Sequence, residues 1–199
     1  MIFLTVNLLI LSSCGSQKRM VNKYYVIEKP AESSEFEIEG IRQIDQYCEI
    51  IPVDVYPAFA SQKVALRSGE YEIIYYSYHQ WAVRPSESFT RIIQDYLNHI
   101  KLFKEVSTRF WRVTPEYVIK TTIYKLEVIQ EGDNLFAHLE MEFSLEQQEN
   151  DKRVIQHKAD RKELLPSKDL NLFAKSIGAM FYEELYRFSQ KILKEAPVE

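Results

Sequence analysis

The chain has 199 residues, with 25 Lys and Arg against 29 Asp and Glu, a formal net charge of −4, 46% hydrophobic and 27% charged residues. That is ordinary globular composition, and the acidic balance argues against nucleic acid as a partner. Gly15, Gly40, Gly69, Gly132 and Gly178 lie far apart, which excludes a phosphate-cradling glycine loop.

The first fourteen residues read as an address. Ile2 to Leu11 is apolar over about 10 residues, or roughly 15 Å of helix, too short for a bilayer core of about 30 Å. It has the length of a signal-peptide core, and Leu11-Ser12-Ser13-Cys14 resembles the lipobox of bacterial lipoproteins. No Lys or Arg precedes the run, so either the start lies elsewhere or the terminal amine is the positive region. The resemblance implies cleavage before Cys14 and acyl chains on it, with buried CH₂ groups giving about 0.8 kcal/mol each. Gly15 after the Cys implies passage to the outer membrane. The plainer alternative is a buried first strand with an incidental Cys. Residues 1–13 are thus expected to be a signal peptide, 14–23 a lipidated tether, and 24–199 one domain.

Tyr24 to Ile27 reads as a first strand. Lys29 to Asp45 is acidic and rich in Pro, Ser and Gly, so it reads as a solvated loop with a short strand at Phe36–Ile38, or as an acidic docking surface. Tyr47 to Tyr56 is a strand that Pro52 makes an edge or a bulge. Cys48 on that strand reads as a buried, inert thiol. Lys63 onward gives a short strand, a turn at Ser68-Gly69, and an aromatic strand. In it Tyr71, Ile73 and Tyr75 take one face and Ile74, Tyr76 and Tyr78 the other. Phe89, Ile92, Ile93, Tyr96, Leu97 and Ile100 make the stripe of an amphipathic helix, with Pro85 at its start and Ser86 as N-cap.

A short strand at Leu102–Val106 follows. Along Tyr117 to Gln130 the apolar positions change parity, which predicts a β-bulge near Ile123. Glu131-Gly132-Asp133-Asn134 is a hairpin turn. Leu135, Ala137, Leu139, Met141, Phe143 and Leu145 then alternate with His138, Glu140, Glu142, Ser144 and Glu146, giving a strand with one wet face. Arg153 to Leu164 reads as a charged edge strand. Pro166-Ser167 starts a helix to about Lys194, with the stripe Phe173, Ile177, Met180, Phe181, Leu185, Phe188, Ile192. Its mixed polar face favours packing on the sheet over lying on a membrane. The sum is α+β: a largely antiparallel mixed sheet of about five or six strands with both helices on one face.

Local signs of chemistry are absent. His79, His99, His138 and His157 share no ligand spacing, no nucleophile elbow occurs, and the carboxylates are dispersed. No enzyme activity, cofactor or metal is expected.

A set of residues resembles the auxiliary lipoproteins of ABC-type transport systems, partners of MCE-type machines that move phospholipids between membranes. The set is the lipobox, Tyr24-Tyr25-Val26, Val53-x-Val55 ending at Pro57, and Arg67…Tyr71-Glu72-Ile73-Ile74-Tyr75-Tyr76…Trp81-Ala82…Pro85 before a helix. The resemblance implies a TolB N-terminal-like sheet with two helices, no catalysis, a tether on the outer membrane facing the periplasm, and self-association into rings. It also implies MCE-family, permease and ATPase partners. The alternative is a scaffold for outer-membrane assembly or for polysaccharide or lipopolysaccharide export. A third reading is a ligand-binding module with aromatic strands lining a pocket. Within the leading reading, Tyr75, Tyr76, Tyr78 and Trp81 contact a transport partner or a neighbouring subunit; alternatively, Trp81 pins a helix to the sheet.

Overall fold

The computed structural model describes residues 20–31, 43–150 and 152–196. The expected signal segment 1–13, Cys14, the first part of the tether and the strand at Phe36–Ile38 lie outside the described residues. In chain order the elements are β1 (Lys23–Tyr25), β2 (Ile44–Ile50), β3 (Asp54–Val55), β4 (Lys63–Arg67), β5 (Ile73–Trp81), α1 (Pro85–His99), β6 (Phe103–Ser107), β7 (Tyr117–Glu131), β8 (Asn134–Gln147), β9 (Lys152–Leu164) and α2 (Leu170–Glu195).

The strict alternation in β8 makes it the strand about which the rest is laid. It pairs antiparallel with β7 on one side and β9 on the other. Gly132, at φ +58°, opens the two-residue loop between β7 and β8, a backbone position that glycine takes without steric cost. The register of β7 shifts between Ile123 and Lys125, so the bulge expected from the parity change is present. It keeps Ile119 and Ile123 on the same face as Leu126 and Val128, and all four are buried.

The other side of β7 is shared in turn by β2, β3 and β4, each parallel to it. The full order β1-β5-β4-β7-β2-β6, with β8 and β9 beyond β7, makes an open mixed sheet of nine strands among the described residues. The count exceeds the expected five or six: the short strands β1 and β6, each read from the sequence, both join the sheet, and β3 adds one more. Pro52 accounts for one of them: it splits the expected Tyr47–Tyr56 strand into β2 and β3, since it has no N–H for a ladder. Contrary to an edge assignment, β2 is flanked by β6 and β7.

Both helices cover the face bearing Leu135, Leu139 and Phe143. Phe89 of α1 meets Phe181 of α2 at 4.4 Å between ring centroids, and Phe143 lies 5.4 Å from Phe181 and 5.2 Å from Phe188. Every residue of the expected α2 stripe is buried, so that stripe belongs to the core. The helix begins later than expected, because the Asp169 carboxylate caps it by accepting the Asn171 N–H at 2.9 Å. Ser86 likewise does not cap α1. Its hydroxyl donates to the Val53 carbonyl, while Thr90 Oγ1 accepts the Val53 N–H at 2.9 Å. These two side chains satisfy the backbone that Pro52 breaks open. At its other end α1 closes with a Schellman pair, Lys101 N–H to Asn98 O and Leu102 N–H to Leu97 O, both 3.3 Å. Lys101 takes the left-handed position at φ 53°.

Candidate functional site

The aromatic strand β5 is irregular where its tyrosines lie. Two steps along β4, from Lys63 to Ala65, are matched by five steps along β5, from Gln80 back to Tyr75. Tyr76 to His79 therefore stand opposite Val64 alone, an interruption of the ladder larger than the usual two-against-one bulge. Edge strand β1 runs parallel to the far half of β5, with Lys23 opposite His79, Tyr24 opposite Gln80 and Tyr25 opposite Trp81. The first described strand is thereby fixed beside the tyrosine bulge.

The register sorts these residues by face. On the helix side, Tyr25 stacks on His79 at 5.8 Å and its hydroxyl lies 2.7 Å from His79 Nδ1. Tyr76 is half-buried, edge-on to the same imidazole at 5.4 Å. Burial, and then Lys23, push the His79 pKa down, so the ring is neutral at pH 7. Trp81 is 1% exposed and packs on Phe173 at 5.6 Å. It serves the core, joining sheet to α2, and offers no surface to a partner. On the opposite side, Tyr24 is 60% exposed and Tyr75 and Tyr78 are each 41% exposed. The Tyr75 hydroxyl donates to Ala58 O at 3.0 Å, and Lys63 Nζ lies 5.9 Å from its ring centroid. Of the four expected contact residues, the structure thus leaves Tyr75 and Tyr78 well exposed. Tyr71, at the start of the aromatic stretch, precedes β5 and is fully exposed. Tyr24 joins Tyr75 and Tyr78, a member that sequence reasoning missed; only the β1–β5 register identifies it.

The expected wet face of β8 is instead lined by ion pairs, and His138, Glu142, Ser144 and Glu146 are buried in it. Neighbouring strands supply the partners. Glu127 of β7 takes Arg67 at 2.9 Å and His138 at 3.0 Å, and His138 reaches Asp160 at 2.8 Å. Glu142 meets Lys158 at 3.1 Å and Glu146 meets Lys120 at 2.5 Å. On the sheet-facing side of α2, Glu184 is held by His157 at 2.7 Å and Arg161 at 2.6 Å, both from β9. Burial pushes the carboxyls of Glu127, Glu142 and Glu184 upward, but hydrogen bonds from these neighbours outweigh it and hold each below the ordinary carboxyl value. Lys120 does the same for Glu146. A general acid needs the opposite shift, so none of these carboxyls is poised to act as one. The Cys48 thiol is fully buried, and burial followed by Glu49 pushes its pKa up, away from nucleophilic use. Among the described residues no group of three or more His, Cys, Asp or Glu is placed to hold a metal ion.

Comparison with known proteins follows the same lines. The family model described as "ABC-type transport auxiliary lipoprotein component" matches residues 25–181. Protein XCC0632 from Xanthomonas campestris superposes with a TM-score of 0.63 at 13% identity, covering 86% of this chain and 89% of its own. The hypothetical protein CT253 from Chlamydia trachomatis gives 0.51 at 11% identity, covering 76% and 97%. These two likenesses speak for the fold. No curated protein matches the chain.

Proposed function

We propose, from the premise that the chain belongs to the family of ABC-type transport auxiliary lipoprotein components, that it is a non-enzymatic accessory subunit of an envelope lipid transport system. In this reading Cys14 carries the acyl chains, the anchor sits in the outer membrane, and the sheet with its two helices faces the periplasm. The transport partners are a permease, an ATPase and an MCE-type protein. The observation that carries it is the extent of the family match, from β1 through both helices as far as Phe181 of α2. The paired, lowered carboxylates and the buried Cys48 agree with a body that binds rather than reacts.

Crosslinking in intact cells, followed by pull-down of the detergent-solubilised protein, tests this reading. Recovery of permease, ATPase and MCE protein in one complex is expected. Recovery of an outer-membrane β-barrel with none of the three would overturn it in favour of an assembly or export scaffold.

A further inference from the structure

We propose that the outer face of the β1–β5 edge, formed by Tyr24, Tyr75 and Tyr78 with Met20 and Val21 beside it, rests in the headgroup layer of the membrane that holds the chain. The contact sets how the body stands on the bilayer. This rests on the reading of Cys14 as the acylated residue.

Three observations converge on a lipid surface. The first is reach. Met20 lies six Cα–Cα steps from Cys14, which span at most about 20 Å when fully extended. A folded body of this length is roughly 40 Å across, so the β1 corner is held within half a body's width of the bilayer. The second is charge. From Gly15 to Ile27 the chain carries Lys18, Arg19 and Lys23 and no acid, although the whole protein is at −4. Lys63 adds a further cation beside Tyr75. Each such cation is attracted to an anionic lipid surface. The third is side-chain chemistry. Met20, Val21, Tyr24, Tyr75 and Tyr78 are all exposed. Tyrosine, with an apolar ring and a polar tip, is the residue enriched at the membrane–water boundary.

A tight protein interface is built round a desolvated aromatic anchor. The Trp of this strand, Trp81, is spent in the core, and neither of the two largest clefts is lined by Tyr24, Tyr75 or Tyr78. A headgroup layer asks for neither anchor nor cleft.

The test uses the full acylated protein in vesicles of zwitterionic and anionic phospholipid, a fraction of which bears a nitroxide quencher on the headgroup. Tyr24→Cys, Tyr78→Cys and Trp111→Cys variants are each labelled with a fluorophore; Cys48 is buried and does not compete. Trp111 follows β6, at the opposite end of the strand order from β1, and is 79% exposed. Several-fold stronger quenching at positions 24 and 78 than at 111 is expected. Equal quenching at all three positions, in protein that floats with the vesicles, overturns the proposal while leaving the anchor intact. Quenching that changes only when transport proteins are added overturns it in favour of a protein partner. Failure to float overturns the anchor and this proposal together.

Discussion

Replacing Gly178 by alanine should destabilise the protein by roughly 3 kcal/mol, at the upper end for overpacking a filled interior. The melting temperature should fall by roughly 6–12 °C for a domain of this size. In an open helix the same change stabilises by about 1 kcal/mol, because alanine is the better helix former. The sign is reversed here by one contact: a Cβ on Gly178 would lie 2.4 Å from the Glu28 carbonyl oxygen. That oxygen belongs to backbone and has no rotamer through which to withdraw. Glu28 follows β1, which is joined to the end of β5 by the Ala82 N–H to Tyr25 O bond of 2.7 Å. The methyl group should therefore loosen the packing of β1 and the residues after it against α2. Thermal melts of Gly178→Ala check the magnitude. A variant as stable as the parent, or more so, would contradict the close approach.

The second large effect is expected at Glu184. It projects from the sheet-facing side of α2 and is 1% exposed, with His157 Nε2 at 2.7 Å, Arg161 at 2.6 Å and Arg187 at 3.0 Å. Removing one member of a buried ion pair costs about 3–5 kcal/mol, because the partner is left buried and uncompensated. The lower figure, about 3 kcal/mol for Glu184→Ala, applies here because Arg161 and Arg187 also reach Glu183. The pH dependence follows from the direction of the carboxyl shift. Burial raises the Glu184 pKa, the hydrogen bonds from His157 and Arg161 lower it further than burial raises it, and the net value lies below the ordinary 4.5. A depressed folded-state pKa gives stability that is fully present above the unfolded value and lost as pH falls through the folded one. Urea denaturation at pH 7 and below pH 4 measures both terms. Glu184→Gln should lose stability at pH 7 and lose less than the parent on acidification. Parallel loss in the two proteins would contradict the ion-pair assignment.

How far the sequence revealed this protein depends on the range of the interaction. β8, the bulge near Ile123 and the stripe of α2 follow from periodicity, which is written in neighbouring residues. The resemblance carried by the β5 aromatic stretch also held, since the chain belongs to that family. What sequence could not show is pairing at a distance. The polar face of β8 reads as wet because polarity is visible in the residues and cross-strand partners are not. Arg67, Glu127, His138 and Asp160 come from four strands that only the fold brings together. Ser86 has the composition of an N-cap, yet its hydroxyl is claimed by Val53 across the fold. Gly178 marks a close approach without naming what approaches. The tyrosine surface is the intermediate case. Its aromatic composition is plain, but the β5 bulge and the parallel β1 register decide that Tyr24 joins it and Trp81 does not.

The account stands on attachment through Cys14, and the intact mass of the protein extracted from membranes measures that attachment directly. The predicted result is a chain that begins at Cys14 and is heavier than its residues by the mass of the acyl chains. A chain that begins elsewhere, or one whose Cys14 carries no added mass, would contradict it.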